Sequence, residues 1–298
     1  MLEDTFMSFG DGIPRKHCFS VTDFHDFERC SFCFFVTHHL DKKYELAEGS
    51  KALALGSLLD ETIKLFHSAK LYGQPPESLV GVVMGAKRHI KEKVDKQSFS
   101  SSKTPGKPSF YTAVLPFLDE QLTQKAIDIF QNYYQSLNQK IKPSLGPVGF
   151  CERLIPGSKG DLMYKLWGGP DAYEIGEDGV IEIVDYKSRE DVQKGKEGMD
   201  MDLMPKMYTL LCSKFLMDRG YKKARFIVRF WQDPKEEGFY EEFDLEKVQV
   251  FDEYFRQLIE KILATTELNF CEKPYCKGCF SPKREEFLAD LKREIGVN

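Results

Sequence analysis

A carboxylate and an amine stand close together where a short apolar stretch of the chain ends. Residues 179–188 read Gly-Val-Ile-Glu-Ile-Val-Asp-Tyr-Lys-Ser, a pattern typical of a β-strand. Side chains alternate between the two faces of a strand, so Asp185 and Lys187 share a face with Ile181. An acid and an amine at this spacing can hold a divalent metal ion and act on a water molecule beside it. An ordinary ion pair at the end of a strand is the alternative, and the spacing alone favours it.

A second carboxylate precedes this strand and changes the balance. Residues 167–175 predict a strand with a kink at Gly-Gly-Pro, and Gly-Glu-Asp-Gly at 176–179 predicts a turn. The hairpin formed in this way would bring Asp171 beside Asp185. Two carboxylates and a lysine at one edge of a sheet suit metal-assisted cleavage of a phosphodiester.

These residues, taken in order, resemble the core of the PD-(D/E)XK nucleases. Gly-Gly-Pro-Asp171, about a dozen residues and then Ile-Val-Asp185-Tyr-Lys187-Ser follow the pattern of that superfamily. The most similar branch is the RecB-like nuclease domain, which includes the CRISPR-associated RecB-like exonucleases and the AddB-type nucleases. The resemblance spans roughly residues 20–285, and it rests on the joint order of a few short motifs.

The resemblance implies an α/β fold of the restriction-endonuclease type, with a central mixed sheet flanked by helices. An N-terminal helical region (residues 1–147) would include a helical lobe, and the α/β nuclease core (148–245) would follow it. A C-terminal helix with a cysteine-rich tail (246–298) would complete one integrated domain, and a cysteine-ligated metal clasp would join the termini. The implied activity is that of a Mg²⁺- or Mn²⁺-dependent exonuclease acting on DNA ends.

The resemblance also implies a role for each residue of the catalytic motif. Asp171 and Asp185 would bind Mg²⁺ or Mn²⁺, and Lys187 would position the attacking water and stabilise charge in the transition state. Asp60 stands where the family often has a metal-binding histidine, four residues after a glycine. A carboxylate is also a suitable ligand for a hard cation, although it adds negative charge to the site.

Three further positions correspond to features of the family. Glu152 stands where many relatives carry an acidic residue that supports the metal site, the alternative being a solvent-facing charge on an edge strand. Tyr208 corresponds to a family tyrosine and would contact DNA or hold the site. Met204 replaces the glutamine that usually precedes this tyrosine by four residues. That replacement bears on the rate and on the mode of DNA contact more than on the fold.

A second candidate site consists of cysteines from both ends of the chain. Cys271, Cys276 and Cys279 lie within nine residues that also contain Pro and Gly, a context unlike a packed core. With Cys30 they make a set of four thiolates, fit for a [4Fe–4S] cluster or for Zn²⁺, which the spacing alone does not distinguish. Cys33 could substitute for Cys30, and both could instead be small apolar core residues. The family resemblance favours the iron–sulfur cluster.

The elements that position these side chains follow from local patterns. Ser20, with Asp23 three residues later, predicts the N-cap of a helix that leads to Cys30. Further helices are predicted over residues 50–67, about 111–141, 203–217 and 244–266. Strands are predicted over residues 148–155, 224–231 and 238–243, with a turn at Asp233–Glu237 between the last two. The strand–helix–strand order through residues 179–231 implies a parallel crossover.

Composition limits the class of protein. The chain of 298 residues is 42% hydrophobic and 13% aromatic, which is enough for a sizeable core. It contains no apolar run near the roughly 18 residues of a membrane span, and residues 1–20 lack the features of a signal peptide, so a cytoplasmic location is expected. The eight cysteines therefore favour free thiols or metal ligands over disulfides. A net charge of −5 argues against a broad nucleic-acid footprint but allows a local basic groove.

Partners follow from the resemblance alone. The substrate would be DNA with single-stranded or duplex ends, and a CRISPR integrase or a helicase subunit would be the protein partner. Two alternatives are a catalytically weak DNA-binding subunit of a larger complex and a structure-specific endonuclease of the same superfamily. The departures at residues 60 and 204 favour the weak subunit, whereas the intact motif at residues 171, 185 and 187 argues against it.

Overall fold

The computed structural model describes residues 13–40, 49–99, 110–137, 141–145, 151–176, 178–187, 203–271, 276 and 278–296. The predicted start of a strand at residues 148–150 lies outside these ranges. Among the described residues, no helix combines the length and the apolar character needed to cross a membrane.

Helices and strands alternate along the described parts of the chain. The helices are α1 (Val21–Arg29), α2 (Ser31–His38), α3 (Lys51–Ser68), α4 (Leu79–Phe99), α5 (Phe110–Val114), α6 (Glu120–Ser136), α7 (Leu203–Met217), α8 (Val250–Leu263) and α9 (Arg284–Ile295). The strands are β1 (Cys18–Phe19), β2 (Cys151–Pro156), β3 (Met163–Gly168), β4 (Ala172–Ile175), β5 (Ile181–Lys187), β6 (Lys223–Phe230) and β7 (Asp233–Asp244).

The strands form two mixed sheets. One sheet has the order β1-β3-β2, and the other has the order β4-β5-β6-β7. In the second sheet β5 runs parallel to β6, with residues 181–187 opposite residues 224–230, while β4 and β7 are antiparallel to their neighbours. The parallel pair confirms the crossover that the sequence predicted between β5 and β6. The fold is therefore α/β.

The division into two sheets corrects the expectation of one central sheet. The sequence predicted a kinked strand over residues 167–175, but β3 ends at Gly168 and β4 begins at Ala172. Gly169 and Pro170 separate them, because proline has no N–H group for a strand ladder and glycine favours bends. The chain thus passes from one sheet to the other over residues 169–171, and Asp171 directly precedes β4.

Both faces of the four-stranded sheet are buried, each in a different hydrophobic cluster. Ile181, Ile183 and Phe226 belong to a cluster that includes residues of α1, α2, α7, α8 and α9. Val184 and Tyr186 belong to a second cluster with residues of α3, α4, α5 and α6. This confirms the predicted alternation of side chains along β5. The sheet is covered on one side by α1, α2, α7, α8 and α9 and on the other by the helical lobe, which consists of α3–α6.

A buried charge network fixes β5 against its neighbours. Arg229 Nη1 lies 2.5 Å from Glu174 Oε2, and Arg229 Nη2 lies 2.7 Å from Glu182 Oε2. Glu182 also pairs with Lys142, and the Tyr186 hydroxyl donates a hydrogen bond to Glu174. Burial raises the pKa of Glu174, partly offset by the charge of Arg229. Because every charged member of this network has a partner, we infer that the network holds the strands together and has no role in catalysis.

Three predicted element boundaries are wrong. The single helix predicted over about 111–141 is divided into α5 and α6. Pro116 lies in a 3₁₀ turn between them, and Asp119 begins α6 by accepting a hydrogen bond from Leu122 N at 2.7 Å. The turn predicted at Asp233–Glu237 belongs to β7, and the chain turns at Trp231 and Gln232 instead. The last predicted amphipathic helix is shortened at both ends, to residues 250–263.

Candidate active site and metal centre

Asp185 and Lys187 lie at the end of β5, where the predicted strand stops. Lys187 Nζ lies 2.5 Å from Asp185 Oδ2. Asp185 is buried, with 5% of its surface exposed, whereas Lys187 is half-buried. Burial, which lowers the pKa of Lys187, is outweighed mainly by the charge of Asp185, so this pKa is raised and the amine is protonated at neutral pH.

The predicted hairpin places Asp171 beside this pair. Strands β4 and β5 are antiparallel, with Ala172 opposite Val184. The Asp171 N–H group donates to Val184 O at 2.8 Å, and Asp171 Oδ2 accepts a hydrogen bond from Tyr186 N at 2.7 Å. The carboxylate is therefore held directly against the strand that carries Asp185.

Helix α3 brings a third carboxylate to the same place. Ser50 caps this helix by accepting a hydrogen bond from Leu53 N, and the apolar stripe that follows packs in one hydrophobic cluster with Val184 and Tyr186 of β5. Burial raises the pKa of Asp60, and the negative charges of Asp171 and Asp185 add to this rise. The charge of Asp60 is thus linked to the charges of the two aspartates of the sheet.

Lys64 is a member of the site that sequence reasoning missed. It lies one helical turn after Asp60, on the same side of α3. Burial, which lowers the pKa of Lys64, is outweighed by the charges of Asp171 and Asp60, so this pKa is raised. The spacing of four residues from Asp60 was the available signal. This spacing alone does not show that Lys64 belongs to the site, because that depends on the packing of α3 against the sheet.

The three carboxylates influence one another's charge, but in the part of the chain that the structure describes only the four cysteines form a group of possible ligand atoms close enough to hold an ion. Burial, followed by the charge of Asp185, raises the pKa of Asp171 to about 6. In the described part of the chain, Lys64 and Lys187 supply two positive charges against three aspartates. A hard cation such as Mg²⁺ or Mn²⁺ prefers carboxylate oxygens and would relieve their mutual repulsion. The chemistry of the donor set therefore fits such a metal.

Tyr208 lies at the margin of this group on α7. Its ring is stacked on Phe226, with 5.7 Å between ring centroids and 15° between planes. Burial, followed by the charges of Asp185 and Asp171, raises the pKa of Tyr208, so its hydroxyl is protonated at neutral pH. Met204, one turn earlier, is buried in the hydrophobic cluster on this side of the sheet.

Glu152 lies in the other sheet, on β2. It pairs with Lys165 of β3, with 3.2 Å between Lys165 Nζ and Glu152 Oε2. Its side chain is 38% exposed. A supporting role for Glu152 at the metal site remains a prediction.

Comparison with known proteins decides the family. The family model of the PD-(D/E)XK nuclease superfamily matches residues 18–282. The chain belongs to the PD-(D/E)XK nuclease superfamily. This membership implies a metal-dependent nuclease that binds nucleic acid, and the matched residues contain both candidate sites.

Other comparisons are less informative about this nuclease. None of the curated proteins searched matches the chain. Among solved structures, the crystal structure of SSO0001 matches the chain at 13% identity and a TM-score of 0.24. The match covers 59% of this chain and 70% of the SSO0001 chain.

Metal binding by the nuclease is expected to weaken as the pH falls through about 6, the pKa of Asp171. Because the pKa of Asp171 is raised in the folded protein, the ionised carboxylate lowers the free energy of unfolding of the metal-free protein above about pH 6. This loss of stability disappears as the pH falls and Asp171 becomes protonated. Since one proton must leave before the ligand can bind, the dissociation constant of Mn²⁺ should rise about tenfold for each pH unit below this value. Calorimetric titrations on both sides of the pKa measure this. A dissociation constant independent of pH, or an inflection that survives in Asp171→Asn, would contradict it.

The cysteines of the nuclease form a second compact group, the cysteine centre. The Sγ atoms of Cys30, Cys33, Cys276 and Cys279 all lie within 4.8 Å of one another. Cys33 thus joins Cys30 in this set, where the sequence favoured Cys271. The thiol of Cys271 lies beside the group and hydrogen-bonds with Cys276. The donor set fits a metal that prefers thiolate ligands.

The start of α2 carries both N-terminal thiols, Cys30 at the cap and Cys33 in the first turn. The predicted capping box at Ser20 and Asp23 is confirmed, and it begins α1, which ends at Arg29. Cys30 then caps α2, and its Sγ accepts a hydrogen bond from Cys33 N at 3.5 Å. Hydrogen bonding from the Cys33 thiol, opposed by burial, lowers the pKa of Cys30 to about 4. This favours the thiolate, which is the form that binds metals.

Proposed function

We propose that the chain is a Mg²⁺- or Mn²⁺-dependent exonuclease of the RecB-like type that degrades DNA from its ends. The observation that carries this proposal is the placement of Asp171 against β5, through Tyr186 N, beside the Asp185–Lys187 pair at the carboxyl end of that strand. Two aspartates and a lysine in this order are the signature of the superfamily to which the chain belongs. Since Asp60, Asp171 and Lys187 are half-exposed, a phosphate group can reach them from solvent.

The three carboxylates would hold the metal, with Asp171 and Asp185 as its principal ligands and Asp60 as a third. A bound divalent cation would polarise the scissile phosphate and lower the pKa of the attacking water. Asp171 is oriented for this role because Tyr186 N fixes one of its oxygens, which leaves the other for the metal.

Lys187 would stabilise negative charge on the phosphate in the transition state. Its raised pKa keeps the amine protonated, so it acts as a hydrogen-bond donor and does not remove the proton from water. Asp185 holds it in place through their ion pair. Lys64 would provide a second positive charge beside Asp60 and Asp171, on the side of the site formed by α3.

A nuclease assay on labelled DNA tests the proposal. Linear single-stranded and duplex DNA, labelled at either end, would be incubated with Mn²⁺, Mg²⁺ or EDTA, and closed circular DNA of both kinds would serve as the matched substrates without ends. We expect metal-dependent release of mononucleotides or short oligonucleotides from the linear DNA only. The label that is released first gives the polarity.

Two other results would replace this proposal. Cleavage of circular DNA would identify a structure-specific endonuclease. DNA binding without cleavage, in protein purified without oxygen, would identify a catalytically weak subunit of a larger complex, an alternative that the apolar Met204 favours. Co-purification with a CRISPR integrase or a helicase would test the partners that the RecB-like resemblance suggests.

A further inference from the structure

We propose that Cys30, Cys33, Cys276 and Cys279 bind a single Zn²⁺ ion, and that this chain does not hold a [4Fe–4S] cluster there. The proposal concerns the identity of the metal at the cysteine centre, and it is independent of cleavage at the three aspartates. It rests on the distances between the sulfur atoms, on the packing around them and on the spacing of the cysteines.

The distances between the sulfur atoms fit one tetrahedral ion. Cys33 Sγ lies 2.8 Å from Cys276 Sγ and 4.0 Å from Cys279 Sγ, and Cys30 Sγ lies 3.4 Å from Cys279 Sγ. Zinc–sulfur bonds of about 2.3 Å in a tetrahedron place the sulfurs about 3.8 Å apart. In a four-iron cluster each thiolate binds a different iron at a different corner, so the thiolates lie farther apart than around one ion. The observed spacing matches the single ion.

The packing around the centre resists expansion. A side chain at Gly278 would collide with Cys33 Sγ, so the C-terminal loop approaches the N-terminal turn as closely as glycine allows. The residue two positions before Cys271 is also joined to the N-terminal turn, by hydrogen bonds from Phe32 N to Asn269 O, at 3.2 Å, and from Asn269 N to Ser31 Oγ, at 2.6 Å. Separating Cys33 from Cys276 and Cys279 to admit a cluster would move the loop at Gly278 out of this close approach.

The spacing of the ligands is also that of a structural zinc site. The four cysteines form two Cys-x-x-Cys pairs, at residues 30–33 and 276–279. Two such pairs from different segments are a common arrangement of structural zinc. Four thiolates complete the coordination of Zn²⁺ and leave no position for water, so the ion would be structural and not catalytic.

Metal analysis of the intact protein tests the inference without any substitution. We expect protein purified without oxygen to be colourless and to contain about one zinc ion per chain, with no inorganic sulfide. Exchange with Co²⁺ should give the visible absorption bands of tetrahedral thiolate coordination. Brown protein containing iron and sulfide would overturn the proposal. So would metal-free protein in which Cys33 and Cys276 form a disulfide.

A matched pair of variants distinguishes the ligand sets. Cys33→Ser should lose the metal, because it removes one of the four ligands, whereas Cys271→Ser should retain it. The reverse result would assign Cys271 as a ligand and overturn the proposed set. If Cys33→Ser does not fold, Cys271→Ser still decides, because loss of metal in that variant contradicts the proposal and full retention supports it.

Discussion

Replacing Asp185 with asparagine is expected to reduce DNA cleavage by about 10³-fold or more, which corresponds to about 4 kcal/mol of transition-state stabilisation. The substitution keeps the size of the side chain but removes a charged metal ligand and the partner of Lys187. Initial rates of release of end label from linear DNA, in saturating Mn²⁺, measure the effect.

The same variant should remain folded. The site combines three carboxylates with two lysines, so loss of one negative charge reduces the mutual repulsion of the aspartates, and Asp60 and Asp171 still compensate Lys187. We therefore expect the metal-free variant to melt at the temperature of the wild-type protein or above it. Loss of cleavage together with a lower melting temperature would indicate a folding defect and not a defect in metal binding.

Asp178→Asn is the matched control. Asp178 belongs to the turn between β4 and β5, is exposed and pairs with Arg225 at 2.7 Å, away from the three aspartates. This variant removes the same charge from the same hairpin and should retain full cleavage. Activity that persists in Asp185→Asn, or that is lost equally in Asp178→Asn, would rule out the proposed role of Asp185.

The parts of the fold that the sequence predicted depend on local patterns. The alternation of residues along β5, the hairpin before it and the cap at Ser20 are each specified by a few adjacent residues. These local features were enough to bring Asp171 beside Asp185. The parallel pairing of β5 and β6 also followed, because the handedness and length of a strand–helix–strand unit restrict its geometry.

The parts that the sequence did not predict depend on contacts between distant segments. Lys64 is a polar residue on a helix, and only the packing of α3 against the sheet turns it toward the aspartates. Cys33 and Cys271 were both available as ligands, and the choice between them depends on how the turn after α1 meets a loop more than 230 residues away. The break before α6 was missed because the aromatic residues on both sides of Pro116 continue the helical pattern.

Removal of one cysteine ligand is expected to reduce stability strongly. Cys276→Ser takes one thiolate from the cysteine centre, which joins positions 243 and 249 residues apart in sequence. A crosslink that closes a loop of this length removes about 5 kcal/mol of chain entropy from the unfolded state. If the metal is lost, the melting temperature should therefore fall by roughly 10 °C.

Thermal unfolding followed by circular dichroism, with and without a chelator, measures this change. The chelator should lower the melting temperature of the wild-type protein toward that of Cys276→Ser and should have little effect on the variant.

Cys151→Ser is the control, because Cys151 is half-buried and lies outside the cysteine centre, and a serine hydroxyl can keep its contact with Tyr173 OH. An unchanged melting temperature in Cys276→Ser would mean that the contacts between Ser31, Phe32 and Asn269 hold the two segments together without metal. Because the loop-closure argument applies to zinc and to an iron–sulfur cluster alike, this experiment tests the clasp itself, whereas metal analysis identifies the ion.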